Sequence, residues 1–179
     1  PDAKLGLATG GTPVPIYKKL IEMNKAGEVD FSRVHTVNLD EYCGIPGTHD
    51  QSYRYFMDTN LFDYINIDKK NTFVASGMGD FEANARELEE KVREGGAADR
   101  QLLGIGNNGH IAFNEASDHL IAVAHTEKLT ESTINANARF FEKKEDVPTM
   151  AITMGMGDIL AAKKVVLAAT GLAKGPAIK

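Results

Sequence analysis

Five short apolar runs in this chain each stop at a glycine or a short polar residue, and that punctuation constrains its fold more than any other feature. Residues 5–8 stop at Thr9-Gly10-Gly11-Thr12, residues 34–39 at Asp40, and residues 102–105 at Gly106. Residues 149–154 stop at Gly155, and residues 164–169 at Thr170-Gly171. Helical patterns lie between them. One opens at Pro15, with Ile16, Leu20, Ile21 and Met23 on one face, and ends near Gly27. Others cover residues 52–62 and 132–138, and a charged helix over 81–94 is stopped by Gly95-Gly96. A shorter strand falls at residues 72–75. Strands alternating with helices predict an α/β fold, a mostly parallel Rossmann-like sheet with helices on both faces. The length suits one domain over residues 1–179. Ligands bind beyond the carboxyl ends of such strands, so Thr9, Asp40, His110, Thr153 and Lys174 are expected to share a crevice.

Composition narrows the class. A net charge of −5 without a basic cluster argues against a nucleic-acid surface. No apolar run approaches the ~20 residues needed to span a bilayer, and no secretory leader pattern is present. The chain starts at Pro1 beside an immediate strand, so the true N-terminus is expected to be missing. The single Cys43 excludes an internal disulfide and fits a reducing, cytoplasmic setting. Cys43 itself reads as a bystander thiol and the Met154/Met156 pair as packing.

Several short motifs carry chemistry. Thr9-Gly10-Gly11-Thr12, between a strand and a helix, is either an ordinary βα turn or a phosphate cradle of close-approaching backbone and free N–H groups. Asp40 is either a turn residue or a general base aimed into the crevice. Gly104-Ile105-Gly106-Asn107-Asn108-Gly109 matches a dinucleotide fingerprint. That fingerprint requires a helix opening at its third glycine, and Asn114, Ser117 and Asp118 break any helical face here. His110 and Glu115 read as a satisfied surface pair, as metal ligands with His119 or His125, or as an acid–base histidine oriented by a carboxylate. No spacing matches a metal signature, so no metal and no cofactor is expected. Arg139 and Lys174 are single cations at element ends, Lys174 near a further helix start.

These residues resemble the glucosamine-6-phosphate deaminase family over nearly the whole chain. The likeness rests on residues 5–13, Asn38-Leu39-Asp40-Glu41-Tyr42, residues 104–115, Ala136 to Phe141, and residues 151–157. It implies conversion of glucosamine 6-phosphate and water to fructose 6-phosphate and ammonia on a modified Rossmann sheet, with the family's first strand and helix and its C-terminal segment expected to be missing from this sequence. By the resemblance, Asp40 matches the base moving a proton between C2 and C1, and His110 the residue opening the pyranose ring. Glu115 is similar to that histidine's carboxylate partner, and Thr9, Gly10, Gly11, Thr12, Arg139 and Lys174 to the phosphate contacts. Asn108 stands where some members have Asp, which implies lower proton affinity at His110 without loss of activity. Ala116 replaces a usual Pro. Asp118, His125 and Glu127 fall where regulated members bind an activating phosphosugar with basic residues, so no such activation is expected. The implied partner is a small sugar phosphate, with self-association as a homo-oligomer left open. The alternatives are a lactone hydrolase acting on a phosphogluconate and a sugar-phosphate sensor without turnover.

Overall fold

The computed structural model describes residues 2–179. In chain order its elements are β1 (Lys4–Leu7), α1 (Val14–Lys25), β2 (His35–Asn38), β3 (Asp40–Tyr42), α2 (Tyr53–Asn60), β4 (Thr72–Phe73), α3 (Phe81–Arg93), β5 (Arg100–Leu103), β6 (His125–Lys128), α4 (Glu131–Asn137), β7 (Met150–Thr153), α5 (Met156–Ala161), β8 (Val165–Leu167) and α6 (Gly175–Ile178). A five-stranded sheet runs β4-β2-β1-β5-β8, with every pairing parallel. α1 and α2 cover one face with Tyr17 and Met57, packed on Leu7, Val34 and Phe62. α3 and α5 cover the other with Ala85, Leu88, Val92 and Ile159, packed on Val37, Leu39 and Leu103. Covering on both faces is why these strands read as apolar runs rather than as alternation.

α1 differs from its sequence pattern. The buried residue is Tyr17, while Ile16 faces solvent. Tyr17 can enter the core because its hydroxyl donates to the carbonyl of Ala8, which removes the cost of burying an unpaired phenol. The same bond pins the start of α1 to the end of β1.

The expected strand over residues 34–39, with Asp40 at its end, is part of a larger device. β2 lies in the parallel sheet, and β3 opens a second, antiparallel sheet ordered β3-β7-β6. Leu39 joins the two: its N–H donates to Leu7 O at 3.1 Å, and its carbonyl accepts from Met154 N at 2.7 Å. Residues 149–154, expected beside the parallel strands, therefore pair antiparallel with β3, Asp40 opposite Thr153. Buried parallel and antiparallel strands read alike as apolar runs, so orientation is invisible until the partner is known. β6 falls where the sequence pattern predicts no strand, because His125-Thr126-Glu127-Lys128 contains no apolar residue. Tyr42, Phe113, Ile134 and Ala151 form a third core under this sheet.

Candidate active site

A cavity of about 590 Å³ opens where the two sheets meet. Thr9, Gly10, Gly11, Thr12, Asp40, His110, Arg139 and Lys174 all line it. At the turn, Gly10 adopts φ +91°, a conformation that costs an L side chain strain. Pro13 is the N-cap of α1 and offers no side-chain cap. The first N–H groups of the helix are left for another acceptor, the arrangement that suits an anion. Arg139 stacks its guanidinium 4.6 Å from the centre of the Phe140 ring. Lys174 donates to Ile105 O at 2.6 Å, which parks its ammonium on the His110 loop.

Asp40 is the first residue of β3 and only 7% exposed. Burial, with a smaller contribution from neighbouring Glu41, pushes its carboxyl up to about 8. A base that titrates close to neutrality matches proton abstraction from carbon better than an ordinary carboxylate does. Glu41, its neighbour, was absent from the residues singled out by sequence. Alternation along β3 points it away from the cavity side of Asp40, and it is buried with four hydrogen bonds. Tyr42, Tyr53, Phe113 and Phe141 form an aromatic wall beside Asp40, with Tyr53 and Phe113 stacked at 5.9 Å. Individual aromatics are visible in the sequence, but their convergence from four separate segments is not.

His110 sits on a loop without helix between β5 and β6, so the Gly-x-Gly-x-x-Gly match has no dinucleotide geometry. Gly106 N donates to His110 O at 2.9 Å, closing a tight turn with Gly109 at φ +89°. A methyl group on Gly106 would lie 2.6 Å from the imidazole. Glycine there lets the ring lie flat on the backbone. Ala112, at φ +53°, is an alanine held in the left-handed region. His110 Nδ1 faces Glu115 Oε2 at 3.9 Å, and both atoms are buried without another partner. Burial lowers the proton affinity of His110, Glu115 opposes that, and the charge of Lys174 adds to it. Glu115 stands behind the ring rather than in the cavity lining, its Oε1 accepting from Thr130 N at 3.2 Å and from the hydroxyls of Thr130 and Thr133 at the head of α4.

Two further expected positions are not in the crevice. Asn108 accepts from the backbone N–H of His110 at 3.3 Å and does not line the cavity, so its contact shapes the loop rather than the ring. Thr153 is fully buried beneath the loop, accepting from Phe113 N at 3.2 Å. The antiparallel turnover of β7 points it there. Cys43 is buried and its thiol is pushed up to about 11, consistent with a bystander. His125 and Glu127 pair with each other at 3.3 Å on β6. Among the described residues no group of three or more His, Cys, Asp or Glu could hold a metal ion. No helix there is long and apolar enough to cross a membrane.

The family profile for glucosamine-6-phosphate isomerases/6-phosphogluconolactonase matches residues 1–179. The chain is 54% identical over 180 residues to a glucosamine-6-phosphate deaminase of Clostridium perfringens (strain 13 / Type A), covering all of this chain and 74% of the relative. It is 55% identical over 179 residues to that of Clostridium beijerinckii, covering 99% of this chain and 74% of the relative. Among solved structures, a monomeric glucosamine-6-phosphate deaminase superposes with a TM-score of 0.95 at 41% identity, over 99% of this chain and 74% of that one. The 6-phosphogluconolactonase of Thermotoga maritima superposes with a TM-score of 0.77 at 22% identity, over 99% of this chain and 74% of the other, a likeness of fold.

Proposed function

The chain belongs to the glucosamine-6-phosphate isomerase/6-phosphogluconolactonase family, and from that premise we propose the mechanism by which it deaminates glucosamine 6-phosphate to fructose 6-phosphate and ammonia. Relatives that are more than half identical carry the deaminase name, whereas the likeness to the lactonase is one of fold. The observation that carries the mechanism is that Asp40, His110 and the Thr9–Thr12 turn line one cavity.

The sugar's phosphate rests on Thr9, Gly10, Gly11 and Thr12 with Arg139 and Lys174 as counter-charges. Binding energy from that remote group positions the reacting carbons. His110, neutral because its proton affinity is depressed, takes the anomeric hydroxyl proton and passes it to the ring oxygen as the C1–O5 bond opens. Asp40, ionised, then removes the C2 proton, the substrate's ammonium group gives a proton to O1, and the enolamine forms. Return of the proton from Asp40 to C1 leaves an iminium at C2, which water hydrolyses to the ketone and ammonia released as ammonium. Glu115 supports the imidazolium stage, and Asn108 shapes the turn that presents the ring. Residues 1–179 act as one sugar-phosphate domain, and the substrate class fits the cytoplasm.

The test is ammonia release from glucosamine 6-phosphate by the purified protein without added metal or activator, run beside hydrolysis of 6-phosphogluconolactone. Turnover of the lactone alone transfers the chain to the hydrolase branch. Binding of the amino sugar without turnover of either substrate makes it a sensor.

A further inference from the structure

Among the described residues, the buried carboxyl group that accepts the most hydrogen bonds is next to Asp40 and has no part in the chemistry above. Glu41 is 1% exposed. One carboxylate oxygen accepts from Tyr42 N at 2.8 Å and Tyr53 N at 2.9 Å. The other accepts from Ser52 Oγ at 2.7 Å and Arg54 N at 3.0 Å. Ser52 is the N-cap of α2, and its hydroxyl, donating to Glu41, accepts in turn from Arg54 N at 3.1 Å. Serine alone would cap this helix. A second, buried acceptor reaching in from a strand is more than capping requires, and burial without this many donors would be prohibitive. Burial pushes the Glu41 carboxyl above its ordinary range, and the four donors oppose that rise.

What the clamp joins is informative. α2 contributes Tyr53, Tyr55, Phe56, Thr59 and Asn60 to the cavity wall, while β3 contributes Asp40. β3 is three residues long, too short to hold a side chain rigidly by pairing alone. We propose that Glu41 is a positioning residue for proton transfer at Asp40: its clamped carboxylate, which accepts four hydrogen bonds and donates none, locks β3 to the head of α2 as one unit and sets a negative charge beside the base. This rests on the deaminase reading for its chemistry and on the four hydrogen bonds for its geometry.

The remaining groups around Asp40 do not supply that charge. Tyr42 on its own strand and Tyr53 from α2 are buried phenols whose protons are held more tightly than usual. Thr153 opposite it on β7 is uncharged, and His110 across the cavity is biased to its neutral form. Glu41 is the group whose field raises the proton affinity of Asp40 beyond the effect of burial.

Three variants separate position from charge, read by kcat, KM, the pH profile and a 13C-carboxyl NMR titration of Asp40 in the folded protein. Glu41→Gln should lower kcat about 100-fold with KM within about threefold, and lower both the acidic limb of kcat/KM and the Asp40 titration by roughly one pH unit. Glu41→Asp keeps the charge, so kcat should fall while the limb stays. Ser52→Ala removes one clamp bond and keeps the charge, so it should lower kcat about threefold to tenfold without moving the limb. It decides the matter should Glu41→Gln not fold. Wild-type kcat in Ser52→Ala, or an Asp40 titration unmoved in a folded Glu41→Gln, overturns the proposal. The NMR readout does not depend on turnover. A wild-type protein that releases no ammonia would therefore overturn the deaminase reading while leaving the Glu41–Asp40 coupling to be decided by that titration.

Discussion

Replacing Asp40 by Asn keeps the side chain's shape and removes its charge, so it should abolish activity and raise stability together. The unfolded chain ionises this carboxyl at its ordinary value of 3.8, whereas the folded protein ionises it at about 8, chiefly because the group is buried. Between those values the folded state holds the proton more tightly. The stabilising contribution is therefore fully present below about pH 4 and is lost as pH rises through 8. Roughly 4 pH units at about 1.4 kcal/mol each bound the loss at roughly 6 kcal/mol. Water in the open cavity screens part of it. Asp40→Asn, which never ionises, should exceed the wild type by about 2–4 kcal/mol at pH 8.5 and by less than about 1 kcal/mol at pH 4. Urea unfolding of both proteins at the two pH values measures this difference, and processes common to both cancel. Ammonia release from the same samples should show kcat reduced at least ~1000-fold with KM little changed. A stability difference independent of pH would refute the claim that the carboxylate is desolvated, and full activity would remove Asp40 from the mechanism.

His110 should titrate below 6.5 in an NMR pH series, since burial outweighs Glu115. The depressed value makes its contribution to stability present above 6.5 and lost as pH falls, and an apparent value above 6.5 contradicts that balance. Gly106→Ala should cut kcat by ~100-fold or more by pushing the imidazole out of its 2.6 Å seat, visible as lost activity in a protein that still binds substrate. Ala112→Gly should instead raise Tm slightly, by the equivalent of roughly 0.5 kcal/mol, because relief at φ +53° exceeds the added freedom of the unfolded chain. Lys174→Ala should raise KM ~10-fold or more with a smaller change in kcat, measured by steady-state kinetics, if the phosphate rests where its ammonium lies. N-acetylglucosamine 6-phosphate should leave the substrate saturation curve unchanged, because Asp118 and the paired His125 and Glu127 offer a phosphate no cationic site.

Local chemistry was legible in the sequence because it is local. A glycine turn between a strand and a helix, an aspartate at a strand end and a histidine among glycines are each fixed by their immediate neighbours, whose φ, ψ and hydrogen-bonding needs they state directly. The parallel sheet followed from alternation of apolar runs with helical patterns. Strand partners did not follow, because an apolar run carries no mark of direction. The second sheet, the switch at Leu39 and the placement of Thr153 beneath the loop are therefore properties of the tertiary structure alone. The same holds for Glu41. Its neighbours in sequence are Asp40 and Tyr42, but three of its four donors are Ser52, Tyr53 and Arg54 at the head of the next helix, and only folding brings an acceptor on β3 to the orphan N–H groups of α2. The sequence by itself determined which residues could do the chemistry; the tertiary structure decided which of them meet, since contact, burial and field are properties of distance in space.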